Sequence, residues 1–306
     1  MAPIVSGLDY IDLQFLGYPN IIATAVLHGP AGVALVDPGP STAGGRLVAE
    51  LSRQGVALSD VTDVLVTHIH LDHSGGVGQL VRANPGLVVH VHEAGAPHLI
   101  DPSRLMSSAA KLYGVDMDHL WGEVLAVPEA NIRALTGGET ITAGGRPIMV
   151  AYTPGHAKHH VSFFDESTGI AFVGDTAGIR RAPGTYVMPP TPPPDIDLVA
   201  WPQSIDRILG WHPSTLFITH FGPFVDPAPH ADEFLARLRE WAELGRALLR
   251  RAELTDEQRL DQFVDAVRRE IRPRMSAEEA EAYDRSGRID LSWLGLARAI
   301  TKESRM

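Results

Sequence analysis

Apolar residues follow this chain in two rhythms, and the change of rhythm divides it. Up to about residue 222, short alternating or continuous apolar runs lie between turn-forming clusters, the pattern of strands. Residues 20–28 and 33–36 predict a hairpin through Gly29-Pro30-Ala31-Gly32, and residues 60–66 and 87–92 predict two further strands. Strand character returns over 132–135, 139–142 and 148–152, then over 161–165 and 170–173 as a second hairpin, and last over 215–219. Helices are expected after Ser41 and Thr42, as caps, to about residue 54, and over 75–83 and 198–209. Residues 94–125, with helical pieces over 103–113 and 116–121, read as an insertion placed to overhang what the strands carry. Six prolines crowd residues 181–195 (Pro183, Pro189, Pro190, Pro192, Pro193 and Pro194), so no regular structure is expected there.

Beyond that point the rhythm is helical throughout. Phe234, Leu235, Leu238, Trp241, Leu248 and Leu249 recur at helical spacing, as do Leu260, Phe263, Val264, Val267 and Ile271. Thr255 with Gln258 and Ser276 with Glu279 are capping-box starts. The expected organisation is a domain over residues 1–227, with its insertion at 94–125, and a helical appendage over 228–306. Three roles are open to the appendage: packing on the core, a homodimer seam, or a wall that narrows a pocket.

Composition sets outer limits. With 44% hydrophobic and 21% charged residues the chain matches an ordinary globular protein. No apolar run approaches the ~20 residues of a membrane span. The start, Met1-Ala2-Pro3-Ile4-Val5, lacks the layout of a secretory leader, so the cytoplasm is the default location. No cysteine is present, which removes disulfides, thiolate ligands and cysteine nucleophiles. A net charge of −11 argues against nucleic acid as a partner, and leaves a small-molecule substrate as the expectation.

The candidate chemistry is concentrated in Thr67-His68-Ile69-His70-Leu71-Asp72-His73-Ser74-Gly75-Gly76, directly after the strand ending at Val66. In extended backbone, residues two apart point the same way, so His68 and His70 can share one metal. A sharp turn after them sends Asp72 and His73 toward a second. Three further donors each follow an apolar strand at a turn: His156 in Thr153-Pro154-Gly155-His156, Asp175 in Val173-Gly174-Asp175-Thr176, and His220 in Ile218-Thr219-His220. Burying so many polar groups without a cation would leave them unsatisfied.

By these motifs the chain resembles the metallo-β-lactamase-fold hydrolases over about residues 20–222, closest in ligand pattern to the glyoxalase II and lactonase branches. The resemblance implies an α/β, four-layer αββα sandwich with the site at one edge of two sheets. It implies that His68, His70 and His156 hold one divalent metal, that Asp72, His73 and His220 hold another, and that Asp175 bridges them. Asp37 matches an early Asp-x-Gly motif that braces the ligand loop, a turn-forming aspartate being the rival reading, and His160 is expected behind the ligands. Zinc is the favoured ion, with iron or manganese accepting the same donors. The implied chemistry is hydrolysis by a metal-bridging hydroxide, water's pKa falling from ~15.7 toward ~7, with Asp72 orienting it or passing its proton. Tyr186, Met188 and His159 are candidates for a substrate pocket, Trp121 for core packing, and His90, His92, His98 and His119 for strand or helix surfaces.

The resemblance implies an acyl scissile bond: lactone, thioester, ester or β-lactam. A phosphodiesterase and an iron oxygenase of the persulfide dioxygenase type are the alternatives, since they share the ligands. Departures from the named branches are specific. Gly178 stands where homoserine-lactone lactonases carry a tyrosine, Ala177-Gly178 replaces the Leu-Phe pair of glyoxalase II, and Asp175 is a bridge that β-lactamases usually lack.

Overall fold

The computed structural model describes residues 4–304. The first half of the strands are β1 (Leu8–Asp12), β2 (Ala23–Gly29), β3 (Gly32–Val36), β4 (Val61–Leu65), β5 (Val88–His92) and β6 (Ile132–Leu135), and they form one sheet in that order. Pairing is antiparallel from β1 to β3 and parallel from β3 to β6. The second half are β7 (Thr140–Ala143), β8 (Arg146–Tyr152), β9 (Val161–Asp165), β10 (Ile170–Phe172), the short pair β11 (Ile179–Arg180) and β12 (Val187–Met188), then β13 (Thr215–Ile218) and β14 (Gly222–Phe224). The second sheet runs β14-β13-β10-β9-β8-β7.

The period-two alternation explains why the sheets stack. Ala23, Ala25 and Leu27 of β2, with Ala34 and Val36 of β3, face Val161, Phe163, Ile170, Phe172 and Phe217 of the other sheet. The intervening residues face outward onto helices. Val26, Leu35, Val64, Val89 and Val91 pack against Leu47 and Leu51 of α1 (Gly44–Arg53) and Leu80 of α3 (Val77–Ala83), the four-residue α2 (Leu71–Ser74) lying between these helices in the chain. Phe164, Ala171, Leu216 and Ile218 pack against Trp201, Ile205 and Ile208 of the later helix over residues 200–209. The result is helix, sheet, sheet, helix, the four-layer αββα sandwich.

The insertion forms α4 (Ala96–Ile100), α5 (Ser103–Tyr113) and α6 (Met117–Trp121), and the helix over residues 200–209 is α7 (Ala200–Leu209). The tail forms α8 (Pro227–Leu249), α9 (Asp256–Ile271), α10 (Ala277–Gly287) and α11 (Ile289–Glu303). Both capping boxes are in place: the Gln258 N–H donates to Thr255 Oγ1 at 3.2 Å, and the Glu279 N–H to Ser276 Oγ at 3.2 Å. The tail has its own core, with Trp241, Phe263, Ile289, Trp293 and Leu296 buried together, while Phe234, Leu238 and Ala299 join the second sheet's outer face.

Three expectations need correction. Ser41 and Thr42 do not cap α1; they donate to the carbonyls of Trp121 and Leu120 and so tie the insertion to the body. The proline-dense stretch contains β12, whose Val187 and Met188 pair with Arg180 and Ile179, at positions free of proline. His90 and His92 are buried, not on surfaces, and His90 Nε2 lies 2.8 Å from Asp63 Oδ1.

Candidate metal centre

The chain direction decides where the donors go. β3 and β4 are parallel, so Asp37 and the stretch Thr67–His73 leave the first sheet at the same edge. In the second sheet β8, β10 and β13 run alike, so His156, Asp175 and His220 leave it at a shared edge as well. Two stacked sheets thereby bring these turns together without any one segment holding more than part of the set.

Asp37 is the hub of this edge. It is fully buried; its Oδ1 accepts from the Thr67 N–H at 2.8 Å, and its Oδ2 accepts from Thr67 Oγ1 at 2.7 Å, Thr219 Oγ1 at 2.8 Å and His73 Nδ1 at 2.8 Å. Four donors on one carboxylate lock the ends of β3, β4 and β13 to each other. They also dictate tautomers. The single hydroxyl proton of Thr67 goes to Asp37, so Thr67 Oγ1 must accept the contact with His68 Nδ1 at 3.1 Å. His156 Nδ1 donates to the Pro190 carbonyl at 2.9 Å and His220 Nδ1 to the Ile21 carbonyl at 2.7 Å. In each neutral ring the opposite nitrogen, Nε2, therefore carries a lone pair, and the partner fixes the ring's orientation as metal-binding histidines require.

Those lone pairs converge. His68 Nε2 is 3.0 Å and His156 Nε2 2.9 Å from His70 Nδ1, one trio of donors. His220 Nε2 is 3.4 Å and His73 Nε2 3.8 Å from Asp72 Oδ2, a second trio. Asp175 spans both: its Oδ1 is 3.2 Å from His73 Nε2 and 3.5 Å from His220 Nε2, and its Oδ2 is 3.5 Å from His156 Nε2. Donors about 2.0–2.1 Å from a tetrahedral ion lie roughly 3.3 Å apart, close to these separations. His73 Nε2 and Asp175 Oδ1 are buried with no hydrogen-bond partner, as expected of atoms that await a cation. The residues fit bound metal.

The titration behaviour follows from the same crowding. Burial, then His73, hold His68 well below the ordinary imidazole value; burial, then His156, bring His70 to about 3. Burial also works against charge on His73 and His220, but the carboxylate of Asp175, with Asp72 and Asp37 about His73 and Asp72 beside His220, outweighs it and raises both. Burial pushes Asp72 up, yet His73 and His220 bring it down to about 2.

A cavity of about 110 Å³ opens onto this cluster, with His70, Asp72, His156, Asp175 and His220 in its floor. Its walls come from the two additions to the sandwich. Leu105, Ala109, Leu112 and Tyr113 belong to the insertion, and Ser286, Gly287, Arg288 and Leu291 to the junction of α10 and α11, with Pro190 and Pro192–Pro194 between.

The family model of the metallo-beta-lactamase superfamily matches residues 17–220, two thirds of the chain. The chain belongs to the metallo-beta-lactamase superfamily. That superfamily consists largely of metal-dependent hydrolases. Among its curated members, the metallo-beta-lactamase fold-containing protein ST1585 of Sulfurisphaera tokodaii is 28% identical over 71% of this chain and 78% of its own. The hydroxyacylglutathione hydrolase of Rhodopseudomonas palustris (strain BisB18) is 31% identical over 46% of this chain, and the chain spans under half of that enzyme, 44%. Among solved structures, the metallo-beta-lactamase family protein TTHA1429 of Thermus thermophilus superposes with a TM-score of 0.70 at 25% identity, covering 98% of this chain and 95% of that one.

The remaining sequence expectations meet the structure of this superfamily member in different ways. His160 lies behind His68, its Nδ1 3.0 Å from Thr153 Oγ1 and 3.1 Å from Thr176 Oγ1, outside both trios. Tyr186, Met188 and His159 do not line the cavity. Tyr186 packs edge-on against Tyr283 beneath the Arg237 guanidinium, Met188 is fully buried in the tail's core, and His159 is buried against the Ile69 N–H at 3.4 Å. Trp121 is a packing residue as expected, stacked on Phe15 at 5.7 Å. Gly178 has a physical reason: its φ is +81°, and a Cβ there would meet the Met188 carbonyl at 2.8 Å, so no tyrosine can stand at that point. Gly174, at φ +48°, similarly admits Thr67 and His160 beside the turn that presents Asp175. Sequence reading missed Thr67 and Thr219 as braces, although both flank ligands directly, and missed Tyr113 and Arg288, which no local pattern marks.

Proposed function

We propose that this protein is a dinuclear metal-dependent hydrolase that cleaves an acyl bond, whether lactone, thioester, ester or β-lactam, of a small molecule. The observation that carries the reading is the convergence of seven donor residues into two trios spanned by Asp175. His68, His70 and His156 would hold one cation, Asp72, His73 and His220 the second, and Asp175 both. Two such cations, zinc being favoured by an all-nitrogen-and-oxygen donor set, lower the pKa of a water toward ~7 and so supply a nucleophile at neutral pH.

The chain's own residues do the rest. Asp72 lies partly open to the cavity, so one of its oxygens orients the attacking water or takes its proton. Asp37 holds His73 in the tautomer whose Nε2 faces the site. The largely apolar walls and the small volume of the cavity support a small substrate. Similarity to hydroxyacylglutathione hydrolases supports acyl chemistry, and the net charge of −11 disfavours a phosphodiester polymer.

The test is elemental analysis of the purified protein joined to a hydrolysis screen over lactones, thioesters, phosphodiesters and β-lactams. Two zinc ions per chain and acyl turnover that a chelator removes are the expected result. One iron per chain with oxygen consumption overturns the reading.

A further inference from the structure

We propose that Tyr113, from the insertion, is the acid that protonates the leaving oxygen, which makes this cavity selective for oxygen esters and lactones over thioesters. This rests on the acyl-hydrolase reading above and deepens it.

The argument begins with elimination. Four polar side chains outside the donor set line the cavity: Ser108, Tyr113, Ser286 and Arg288. Ser108 is exposed, Ser286 donates to the Ala282 carbonyl at 2.8 Å, and Arg288 is held by Asp290 through Nε at 3.0 Å and Nη2 at 2.8 Å. The Tyr113 hydroxyl makes no hydrogen bond among the described residues, whereas the hydroxyls of Tyr152 and Tyr283 each donate to a carbonyl.

The ring itself is positioned. Trp121 meets it edge-on at 5.1 Å, the Arg288 guanidinium lies 5.9 Å from its centre, and Ser41 fastens the Trp121 carbonyl to the body of the fold. A fixed ring with an unengaged hydroxyl at the cavity wall is what a substrate-facing donor requires. A phenol, with an ordinary pKa near ~10, stays a neutral donor through the neutral pH range of hydrolysis.

The proton balance selects the substrate class. Water adds its oxygen to the acyl carbon and the bond from that carbon to the leaving atom breaks. An alkoxide leaves as a base stronger than phenolate and takes the Tyr113 proton. The phenolate recovers a proton from the one that water released, and the sum is ester plus water giving acid plus alcohol. A thiolate, with a pKa near ~8.5, is a weaker base than this phenolate and leaves without that proton.

The experiment compares γ-butyrolactone with γ-thiobutyrolactone, which share an acyl chain and differ in the leaving atom, on wild type and Tyr113→Phe. The substitution keeps the ring that packs on Trp121 and removes a hydroxyl with no partner, so folding and metal content are unchanged. Loss of about 10²-fold in kcat/KM for the lactone is expected, from the usual range of general-acid effects, against less than about 3-fold for the thiolactone. Binding of γ-butyrolactone to metal-depleted protein, read by calorimetry, should weaken by about 3–10-fold. Equal losses on both substrates, or no loss, with unchanged binding, overturn the role of Tyr113 alone. Absence of lactone turnover by wild type overturns this proposal, and the functional reading falls with it only if chelator-sensitive acyl turnover is absent across the whole screen.

Discussion

The floor and the walls of the cavity are built by opposite means. The floor is polar, and several orientations in it are set by hydrogen bonds with one permitted sense: Thr67, His73 and Thr219 to Asp37, and His156 and His220 to backbone carbonyls. The walls are helices held mainly by apolar contact, Leu71 and Ala109 with Trp121 on one side and Ile289 with Trp293 and Leu296 on another, with a few hydrogen bonds such as Ser41 to the Trp121 carbonyl pinning them. Hydrogen bonds fix atoms singly, so the floor admits little variation. Packing fixes volumes collectively, so different helices can supply a wall over the same floor. On the function proposed above, the difference separates two roles: the floor would hold the metal, and the walls would choose the substrate.

The sharpest break of this contrast is His68→Ala. It removes a donor from the first trio, and because even partners behind the ligands cost about 10–100-fold in metal affinity, more than about 10²-fold is expected, with turnover lost. Chelator competition reads it; retention of both metals and full activity would end the ligand assignment.

The next effect tests, by acid, the packing of α8 on the second sheet. Burial, opposed by the Ala177 carbonyl bond and assisted by Arg180, brings His230 in α8 down to about 4 from an ordinary 6.5. Between those values the unfolded chain binds a proton that the folded one refuses, so stability rises with pH across the window and is lost as pH falls through it. The full difference is about 3 kcal/mol. Urea unfolding at pH 6.5 and 4.5 should show it, and His230→Gln should flatten the slope; an unchanged slope in that variant refutes the assignment.

Asp37→Asn is the intermediate case. It leaves the trios intact but unsettles the His73 tautomer, for an expected loss of about 10–100-fold in metal affinity, measured by competition with a chelating dye. Affinity equal to wild type would show that the brace is dispensable. The smallest effect is Ser292→Ala in α11, whose hydroxyl accepts from the Thr191 N–H at 3.3 Å and donates to the Gly287 carbonyl at 3.1 Å. About 1 kcal/mol of stability is expected to go, with metal content untouched. A change in metal content here would mean that floor and walls are not separable.

Particular residues show what could be read in advance. The seven candidate donors lie in the turns that follow apolar strands, so strand periodicity and motif together singled out the residues that the structure gathers, and the capping boxes at Thr255 and Ser276 announced two tail helices. Strand β1 was not legible, because Leu8-Asp9-Tyr10-Ile11-Asp12 alternates weakly, and β14 carries Pro223, which suits an edge. Tyr186 and Met188 lie near prolines that do line the cavity, yet the β11–β12 pairing turns both into the tail's core.

The order of residues alone determined the donor types, their spacing, and the alternation that stacks two sheets, because these depend on backbone periods of two and on local turns. Only the tertiary structure decided which helices close the cavity and that Tyr113 and Arg288 face each other across it. Those two are 175 positions apart, and what brings them together is the packing of two separate helical additions onto one sheet edge, a sum of many weak contacts that no short stretch of sequence encodes.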